Sequence, residues 1–304
     1  MNVTCDVCGS ALRARFVGVL DPQTRKTFRI DACIDCGLGH TLPQPQSLDR
    51  FYGTRYHGGR HGFTDRYCTW RRKRFVTQRA GTGAGRRLLD LGCGDGAFLL
   101  AARQAGFAIE GVEMNPAIAR AAGFTVHEAL DAVRPGLDVI TAWHSLEHFR
   151  SPKAMLTEAV RLLKPGGWLF VAVPNAGGLQ ARCFGARWFH LDVPRHLFHF
   201  GHPSLMRLLT MLGCEVEKIW NQELEFDLFG CVQSALNTLL PDPNVMFDRL
   251  TGRASVAGPV QVAASFVLGS ALTALALPTV PIAALLGHGG TLVVAARKHP
   301  DVAL

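Results

Sequence analysis

The sequence predicts an α/β protein in which a parallel sheet is flanked by helices and preceded by a small four-cysteine module. Strand and helix segments alternate from residue 87 onward, and four cysteines occur as two CxxC pairs near the N-terminus. A third feature is the run at 254–296, with 43 consecutive residues that include no Lys, Arg, Asp or Glu. With 304 residues, 48% of them hydrophobic, the chain can bury a catalytic domain and an accessory module.

The cysteine pairs predict a structural metal site. They are Cys5-x-x-Cys8 and Cys33-x-x-Cys36, and a glycine follows each pair. Four thiolates at this spacing are typical of a closed, tetrahedral zinc site. With short strands expected at 15–19 and 27–30, residues 1–45 are predicted to form a zinc ribbon. Two unrelated redox pairs are the alternative, and His40 is not expected to be a ligand.

Basic residues are concentrated before the strand–helix region. Residues 1–87 carry 16 Lys/Arg against 6 Asp/Glu, while the whole chain has a formal charge of +8. Residues 46–85 form a basic, aromatic connector with a helix expected at 65–79. This charge favours an anionic partner, with a solvated basic face as the alternative. The N-terminus resembles no secretory signal and five cysteines stand singly, so we expect a reducing cytoplasm.

The repeating elements after residue 85 define a domain at 86–304. Strands are expected at 87–91, 108–113, 125–127, 138–143, 168–173, 214–219 and 291–297, and helices at 97–105 and 204–212. Two further helices are expected after Asn115-Pro116 and Ser151-Pro152, where a capping residue precedes a proline at the first helical position.

A glycine-rich turn follows the first strand of this domain. The segment LLDLGCGDG at 88–96 is typical of a buried strand, a tight turn and a helix start. Its glycines permit positive φ and let backbone N–H groups approach a ligand. Glu113 ends the next strand, where a carboxylate would bind two ribose hydroxyls. The glycines alone also fit a dinucleotide site, so a nicotinamide cofactor stays open at this point.

The surrounding motifs resemble class I S-adenosylmethionine (SAM)-dependent methyltransferases. The segment at 88–96 resembles their motif I, and GVEMNP at 111–116, HSLEHFRSP at 144–152 and LLKPGG at 162–167 follow in the family's order. The resemblance implies a SAM-dependent enzyme with a seven-stranded Rossmann-like sheet. It also implies the cofactor-binding residues, which are Asp90, Gly92, Cys93, Gly94, Gly96, Glu113, Met114, Trp143 and His144.

Two groups of residues are candidates for the acceptor side. The first is Leu-Glu-His at 146–148, in which His148, beside Glu147, could take a proton from an acceptor hydroxyl. Capping of the next helix is the structural alternative. Enzymes resembling the ubiquinone-pathway O-methyltransferases have Glu-x-x-Glu-His here, proposed to bind a divalent metal. This chain has His144 at the first position, so a second metal is a further hypothesis.

A histidine-rich loop forms the second group. The pattern DxPRHxxHF at 192–200 recurs in the same broad methyltransferase group, where it is part of the acceptor pocket. We expect His196 to face the acceptor; the alternative is that His196 and His199 only hydrogen-bond the loop to the sheet. No Asn/Asp-Pro-Pro-Tyr/Phe motif follows 139–143, which argues against methylation of base amino groups. Catalytic cysteine pairs are missing too, which argues against cytosine C5 methylation.

The uncharged run forms most of an insertion. In the methyltransferase fold a short turn joins the last two strands, so residues 222–289 are predicted to be a hydrophobic helical insertion between them. Residues 260–277 approach the length of a membrane span. Both flanking strands must lie in one sheet, however, and 278–286 is too short to recross, so a single span is excluded. A one-leaflet anchor through 255–286, a lid over the acceptor site and a homodimer interface remain.

These patterns together predict a function. We expect a cytoplasmic SAM-dependent methyltransferase, peripheral to the inner face of the membrane if the insertion is an anchor. It would act on oxygen of a small-molecule or lipid-linked acceptor by direct transfer, with His148 or His196 as the base. A sugar-nucleotide C-methyltransferase is the second enzyme interpretation, because those enzymes also begin with a four-cysteine zinc module. An RNA-binding or RNA-modifying protein could use the basic ribbon, but the uncharged insertion argues against nucleic acid.

Overall fold

The computed structural model describes residues 3–52 and 62–300. Along the chain the strands are β1 (Leu12–Leu20), β2 (Thr27–Cys33), β3 (Gly39–Leu42), β4 (Arg87–Leu91), β5 (Ala108–Val112), β6 (Val126–His127), β7 (Leu137–Trp143), β8 (Leu163–Pro174), β9 (Phe198–His199), β10 (Cys214–Trp220) and β11 (Thr291–Lys298). The helices are α1 (Asp49–Tyr52), α2 (Gly62–Ala80), α3 (Ala97–Gln104), α4 (Ala117–Ala121), α5 (Pro152–Leu162), α6 (Leu179–Phe184), α7 (His202–Met211), α8 (Leu224–Leu239), α9 (Val245–Leu250) and α10 (Pro259–Leu285).

The chain groups into two compact units. The first consists of Met1–Arg60, Pro174–Ser204 and Trp220–Leu292, and the second of His61–Val173, Leu205–Ile219 and Val293–Leu304. The predicted boundaries after residues 45 and 85 stay predictions, and residues 53–61 of the predicted connector lie outside the described residues.

A seven-stranded sheet organises the second unit. Its order in the described residues is β10-β11-β8-β7-β4-β5-β6, and the pairs β4–β5, β4–β7, β5–β6 and β7–β8 are parallel. β4 and β7 are buried at nearly every position, as expected for parallel strands covered on both faces. The predicted α/β fold class is confirmed, and β10 and β11 are neighbours although residues 221–290 separate them.

Two predicted helix starts have different outcomes. Ser151 caps α5 as predicted, because its Oγ accepts a hydrogen bond from the Ala154 N–H at 3.3 Å and Pro152 is the first helical residue. At α4 the prediction is wrong by one position. Pro116 is itself the capping residue and no side chain caps this helix. The N–H of Asn115 instead donates to the Glu113 carboxylate at 3.4 Å, which holds this segment in a turn.

The first unit contains a second sheet, with the order β1-β2-β3-β9. β1 and β2 extend the strands predicted for the ribbon and pair antiparallel, as do β2 and β3. β3 also pairs antiparallel with β9, with Gly39 opposite His199 and His40 opposite Phe198. The four-cysteine segment and the histidine-rich loop therefore share one sheet.

The predicted insertion forms three helices of the first unit, α8, α9 and α10. α10 continues through Pro278 and Pro281, although the sequence suggested a separate segment from residue 278. The two prolines are three residues apart, so the missing N–H groups fall on one side of the helix and the other side keeps its hydrogen bonds. α10 is long and apolar enough to cross a membrane by length and composition, with mean hydropathy 1.9 and 17% of that window buried.

Candidate active site

The glycine-rich turn between β4 and α3 excludes side chains at its first position. Gly92 has φ +72°, and a Cβ at Gly92 would lie 2.4 Å from the Cβ of Ser145. The Ser145 hydroxyl is held there because it donates to the Leu91 carbonyl at 2.7 Å. Only glycine fits at this position, and the turn is held close to the segment after β7, at the start of α3, where backbone N–H groups can bind a nucleotide-like cofactor.

Asp90 lies at the end of β4, in register with Thr141 of β7. The Thr141 hydroxyl donates to Asp90 Oδ1 at 2.6 Å, and both residues are buried. This contact uses one acceptor position and fixes the direction of the carboxylate. A carboxylate offers several acceptor positions, so Asp90 could also bind a cationic or N–H group of a cofactor.

Glu113 follows β5 and closes back on the glycine-rich turn. Its Oε2 accepts the Gly94 N–H at 2.9 Å. Each carboxylate oxygen has two acceptor positions, so Glu113 can hold the turn and still accept ribose hydroxyls. The neighbouring Met114 side chain is 73% exposed.

Trp143 ends β7 in an aromatic environment. Its ring packs edge-on against Phe98 at a centroid distance of 5.4 Å, and the guanidinium of Arg72 lies over it at 5.2 Å. The indole Nε1 is buried without a hydrogen-bond partner among the described residues. An orphaned buried donor beside the glycine-rich turn fits a bound cofactor that supplies an acceptor.

Cys93 faces the interior rather than the open side of the turn. A Cβ at Gly111 would lie 2.5 Å from Cys93 Sγ, and Cys93 clusters with Leu99, Ala119, Phe124 and Val126. Burial raises the pKa of this thiol, so it stays protonated. Any part that Cys93 takes in cofactor binding must come from its backbone.

The segment after β7 groups two histidines around one carboxylate. His144 Nδ1 lies 3.8 Å from Glu147 Oε1, and a carboxylate oxygen of Glu147 lies within 4.8 Å of a ring nitrogen of His148. Glu147 is buried, whereas His148 is half-buried in the short helical turn Leu146–His148. A carboxylate so placed can orient either imidazole for proton transfer; the roles of these residues stay predictions.

The four predicted metal ligands lie together in the first unit. The sulfur–sulfur distances are 3.5 Å for Cys5–Cys36, 3.4 Å for Cys8–Cys33 and 3.7 Å for Cys8–Cys36. A tetrahedron with Zn–S bonds of about 2.3 Å requires about 3.8 Å between sulfurs. The donors therefore fit a tetrahedral metal such as zinc, and this group could hold such an ion.

His196 has a defined tautomer in the histidine-rich loop. Its Nδ1 lies 2.8 Å from the carbonyl oxygen of His190. Because a carbonyl only accepts, the proton of the neutral ring is on Nδ1 and the lone pair is on Nε2, which lies 4.0 Å from Asp192 Oδ2. This is the tautomer that a general base at Nε2 requires.

His199 fastens the loop to the ribbon sheet. Its Nε2 lies 2.9 Å from Thr41 Oγ1, which donates to the His196 carbonyl at 2.7 Å. Burial, with help from nearby Arg15 and His40, lowers the pKa of His199 to about 3. His199 is therefore uncharged at neutral pH and links the loop to β3 through Thr41, whereas its role toward an acceptor stays a prediction.

Several contributors were not evident from sequence motifs. Thr141 and Ser145 act through strand register and close packing, and Thr141 could have been found by aligning β4 with β7. Arg71 and Arg72 were predicted only as part of a basic surface, but both are buried. The spacing of the basic run does not indicate that Arg72 stacks on Trp143.

The sheet order, the glycine-rich turn and the two carboxylates define a SAM-dependent methyltransferase. Residues 61–219 match the model of the family described as "Methyltransferase domain", and the chain belongs to this family. Curated relatives agree with the class. One is a ubiquinone biosynthesis O-methyltransferase from Thiobacillus denitrificans, 28% identical over 168 residues that cover 49% of this chain and 72% of the relative.

Other relatives are matched over less of their length. A protein of the same name from Bordetella avium is 31% identical over 44% of this chain and 63% of its own. One from Burkholderia vietnamiensis is 35% identical over 30% of this chain and 46% of its own. The chain thus spans between about half and three quarters of these relatives.

Solved structures share the fold at low identity. A phosphoethanolamine N-methyltransferase 2 from Haemonchus contortus superposes with a TM-score of 0.53 and 16% identity, over 86% of this chain and 62% of the other. A protein assigned as a sarcosine dimethylglycine methyltransferase from Galdieria sulphuraria gives 0.51 and 16%, over 83% and 98%.

Proposed function

We propose that this enzyme transfers the methyl group of SAM to an oxygen of a small-molecule or lipid-linked acceptor. The observation that carries the proposal is the contact of His196 Nδ1 with the His190 carbonyl, because transfer to a hydroxyl requires a base and this contact makes Nε2 the basic nitrogen of the neutral ring. The printed names of the relatives, ubiquinone biosynthesis O-methyltransferases, support oxygen as the acceptor atom. They do not favour a sugar-nucleotide C-methyltransferase or an RNA-modifying protein.

The chain's own residues would bind SAM, orient its methyl group toward the acceptor and remove the acceptor's proton. SAM supplies an activated methyl on a sulfonium, so the protein needs to position it and exclude water. Asp90 and the glycine-rich turn would hold the methionine end, Glu113 the ribose, and Trp143 the pocket wall. His196 would take the acceptor proton at its Nε2, or alternatively His148, oriented by Glu147, would take it.

The four-cysteine site would hold a structural zinc ion. All four positions of the tetrahedron are protein thiolates, so no position is open for a substrate or a reactive water. The ion would fix β3, and β3 carries Thr41, which holds the histidine-rich loop. We place the enzyme in the cytoplasm, where the thiols would stay reduced.

Calorimetry and mass spectrometry test the cofactor and the acceptor. Asp90→Ala and Glu113→Ala should weaken SAM binding at least tenfold, because each removes a charge-assisted hydrogen bond worth about 1.5–3 kcal/mol. Unchanged SAM affinity in both variants would show that the cofactor is placed wrongly. Lipid and metabolite extracts incubated with SAM and enzyme should contain a species heavier by one transferred methyl. If that methyl is on carbon, oxygen transfer is disproved.

Variants of the two histidines separate the base candidates. With an identified acceptor, loss of the base should lower kcat and remove the acidic limb of its pH profile, with SAM affinity unchanged. His196→Ala and His148→Ala are compared with His288→Ala, which alters an exposed histidine. If the acidic limb persists in both site variants, neither histidine is the base.

A further inference from the structure

Helix α10 buries small residues and exposes large aliphatic ones. Its buried positions are mostly small and form one stripe along the helix, which consists of Ser265, Gly269, Ala276, Val280 and Ala283. Its large aliphatic side chains point outward, and Val267, Leu275 and Leu285 are 71%, 68% and 87% exposed. A helix of a water-soluble core has the opposite arrangement, because burial of large apolar side chains stabilises it.

The inner stripe of α10 packs on α8. Ala276 and Val280 form a cluster with Val232 and Leu236 of α8 and with Met246 of α9. Small residues at a helix–helix contact with large ones outside are typical of helices surrounded by lipid. The large outer side chains of α10 therefore require an apolar partner that covers the outer side of the helix.

The side-chain donors of α10 form hydrogen bonds within the protein. The hydroxyls of Ser265, Ser270, Thr273 and Thr279 each donate to a carbonyl three or four residues earlier in the same helix. Gln261 donates to the Asp242 carbonyl at 2.9 Å. In hydrocarbon every polar group needs such a partner, whereas at a water-exposed surface no such requirement exists.

The charges around α10 fit an anionic lipid surface. No acidic residue occurs from 249 to 300, and Arg249 and Arg253 precede the helix. Arg249 is exposed. A protein–protein interface of this length would have a polar rim, but the outer aliphatic residues continue from Val260 to Leu286.

We propose that α10 docks this enzyme on one leaflet of a lipid bilayer, lying in the membrane plane with its outer face in the acyl region. The helix is about 40 Å long at 1.5 Å per residue, and α8 lies on its inner side. α8 cannot act as a second membrane-crossing helix, because its Asp227 is buried and bonded to Thr291 and Gly290. The proposal is independent of the acceptor atom.

Flotation of the full chain with phosphatidylcholine–phosphatidylglycerol vesicles tests this docking. The wild type should float and stay bound at high salt, because apolar burial dominates. Val267→Lys and Leu275→Lys should each weaken partitioning by about tenfold to a hundredfold, from the loss of one buried aliphatic side chain. Val17→Lys is the matched control, since Val17 is 79% exposed on β1, and it should float like the wild type.

Three results would overturn the docking. They are a wild type that does not float, release of the wild type by salt alone, and α10 variants that float as well as the control. A vesicle-independent dimer that dissociates in Val267→Lys would assign the face to a second copy of the chain instead. Thermal unfolding by circular dichroism verifies folding, and brominated lipids should quench Leu275→Trp fluorescence more strongly than Val17→Trp. SAM affinity should be unchanged in all variants, which separates this test from that of the proposed function.

Discussion

Arg195 and Asp21 form a buried ion pair, with Arg195 Nη2 at 3.1 Å from Asp21 Oδ1. Arg195 also contacts Asp192 and donates to the Phe51 carbonyl at 3.2 Å. Asp21 follows β1, and Arg195 directly precedes His196 in the histidine-rich loop. This pair therefore fixes the loop to the ribbon sheet at a point separate from the β3–β9 pairing.

Asp21→Ala should strongly destabilise the fold. It leaves the Arg195 guanidinium buried without its full set of partners, which costs about 3–5 kcal/mol when a buried pair is broken. Urea unfolding of the full chain measures the loss. Arg25→Ala is the control, because the exposed Arg25 pairs with the half-buried Asp242 at 3.4 Å, and such a surface pair should contribute at most about 1 kcal/mol. Equal losses in the two variants would contradict the role of burial.

Gly92→Ala should abolish SAM binding by distorting the turn. The added methyl would collide with Ser145, and a left-handed backbone adds about 1–2 kcal/mol of strain. Gly85→Ala is a closely matched control, because Gly85 has the same φ of +72° and nothing within 4 Å of an added Cβ. Gly85→Ala should lose stability but retain SAM affinity in calorimetry. If both bind SAM normally, the close approach at Ser145 is not needed for the site.

Metal removal should loosen the histidine-rich loop. Chelation, or Cys36→Ser, removes the constraint on β3, so the amides of Phe198 and His199 should exchange hydrogen much faster. Mass-spectrometric exchange on the full chain measures this. Cys183→Ser changes an exposed cysteine outside the cluster and should have no effect. Unchanged protection of β9 after complete metal removal would show that β3 holds it without the ion.

The neutral state of His199 predicts a pH dependence of stability. Its pKa is lowered from 6.5 to about 3, so below pH 6.5 the unfolded chain binds a proton that the folded chain does not. Stability is therefore fully present above pH 6.5 and falls as the pH drops toward 3. The slope of the unfolding free energy against pH reports how many more protons the unfolded chain binds than the folded chain. In urea unfolding between pH 6.5 and 4, His199→Gln should lower this number by up to one. His288→Gln serves as an exposed control, and identical slopes for all three proteins would disprove the assignment.

The strands of the seven-stranded sheet were predictable because each is marked by a local sequence pattern. β4 has the predicted bounds, and β7, β10 and β11 differ from expectation by one residue at one end. Their apolar runs lie between clear turn signals. Pro116 was misplaced because the N–H of Asn115 donates to Glu113 and keeps Asn115 in the preceding turn, a contact that the Asn-Pro pattern does not encode.

Contacts between distant segments could not be read from the sequence. Arg72 belongs to a basic run that suggested an exposed surface, but tertiary packing buries it. The contact of Thr41 with His199 likewise depends on tertiary packing. The four-cysteine cluster was predictable because two CxxC pairs are typical of a tetrahedral metal site with four thiolate ligands. The side-chain direction of Cys93 was not, since a glycine-rich turn specifies backbone conformation and not which way its one larger residue points.

The pairing of β3 with β9 has a consequence for synthesis of the chain. Thr41 and His199 are 158 residues apart, so the ribbon sheet acquires its fourth strand only after about two thirds of the protein has left the ribosome. Until then the outer edge of β3 offers unpaired backbone groups to other chains. Early metal binding by the cysteines would stabilise the first three strands. Expression under zinc limitation should therefore favour aggregation of nascent chains over completion of the fold.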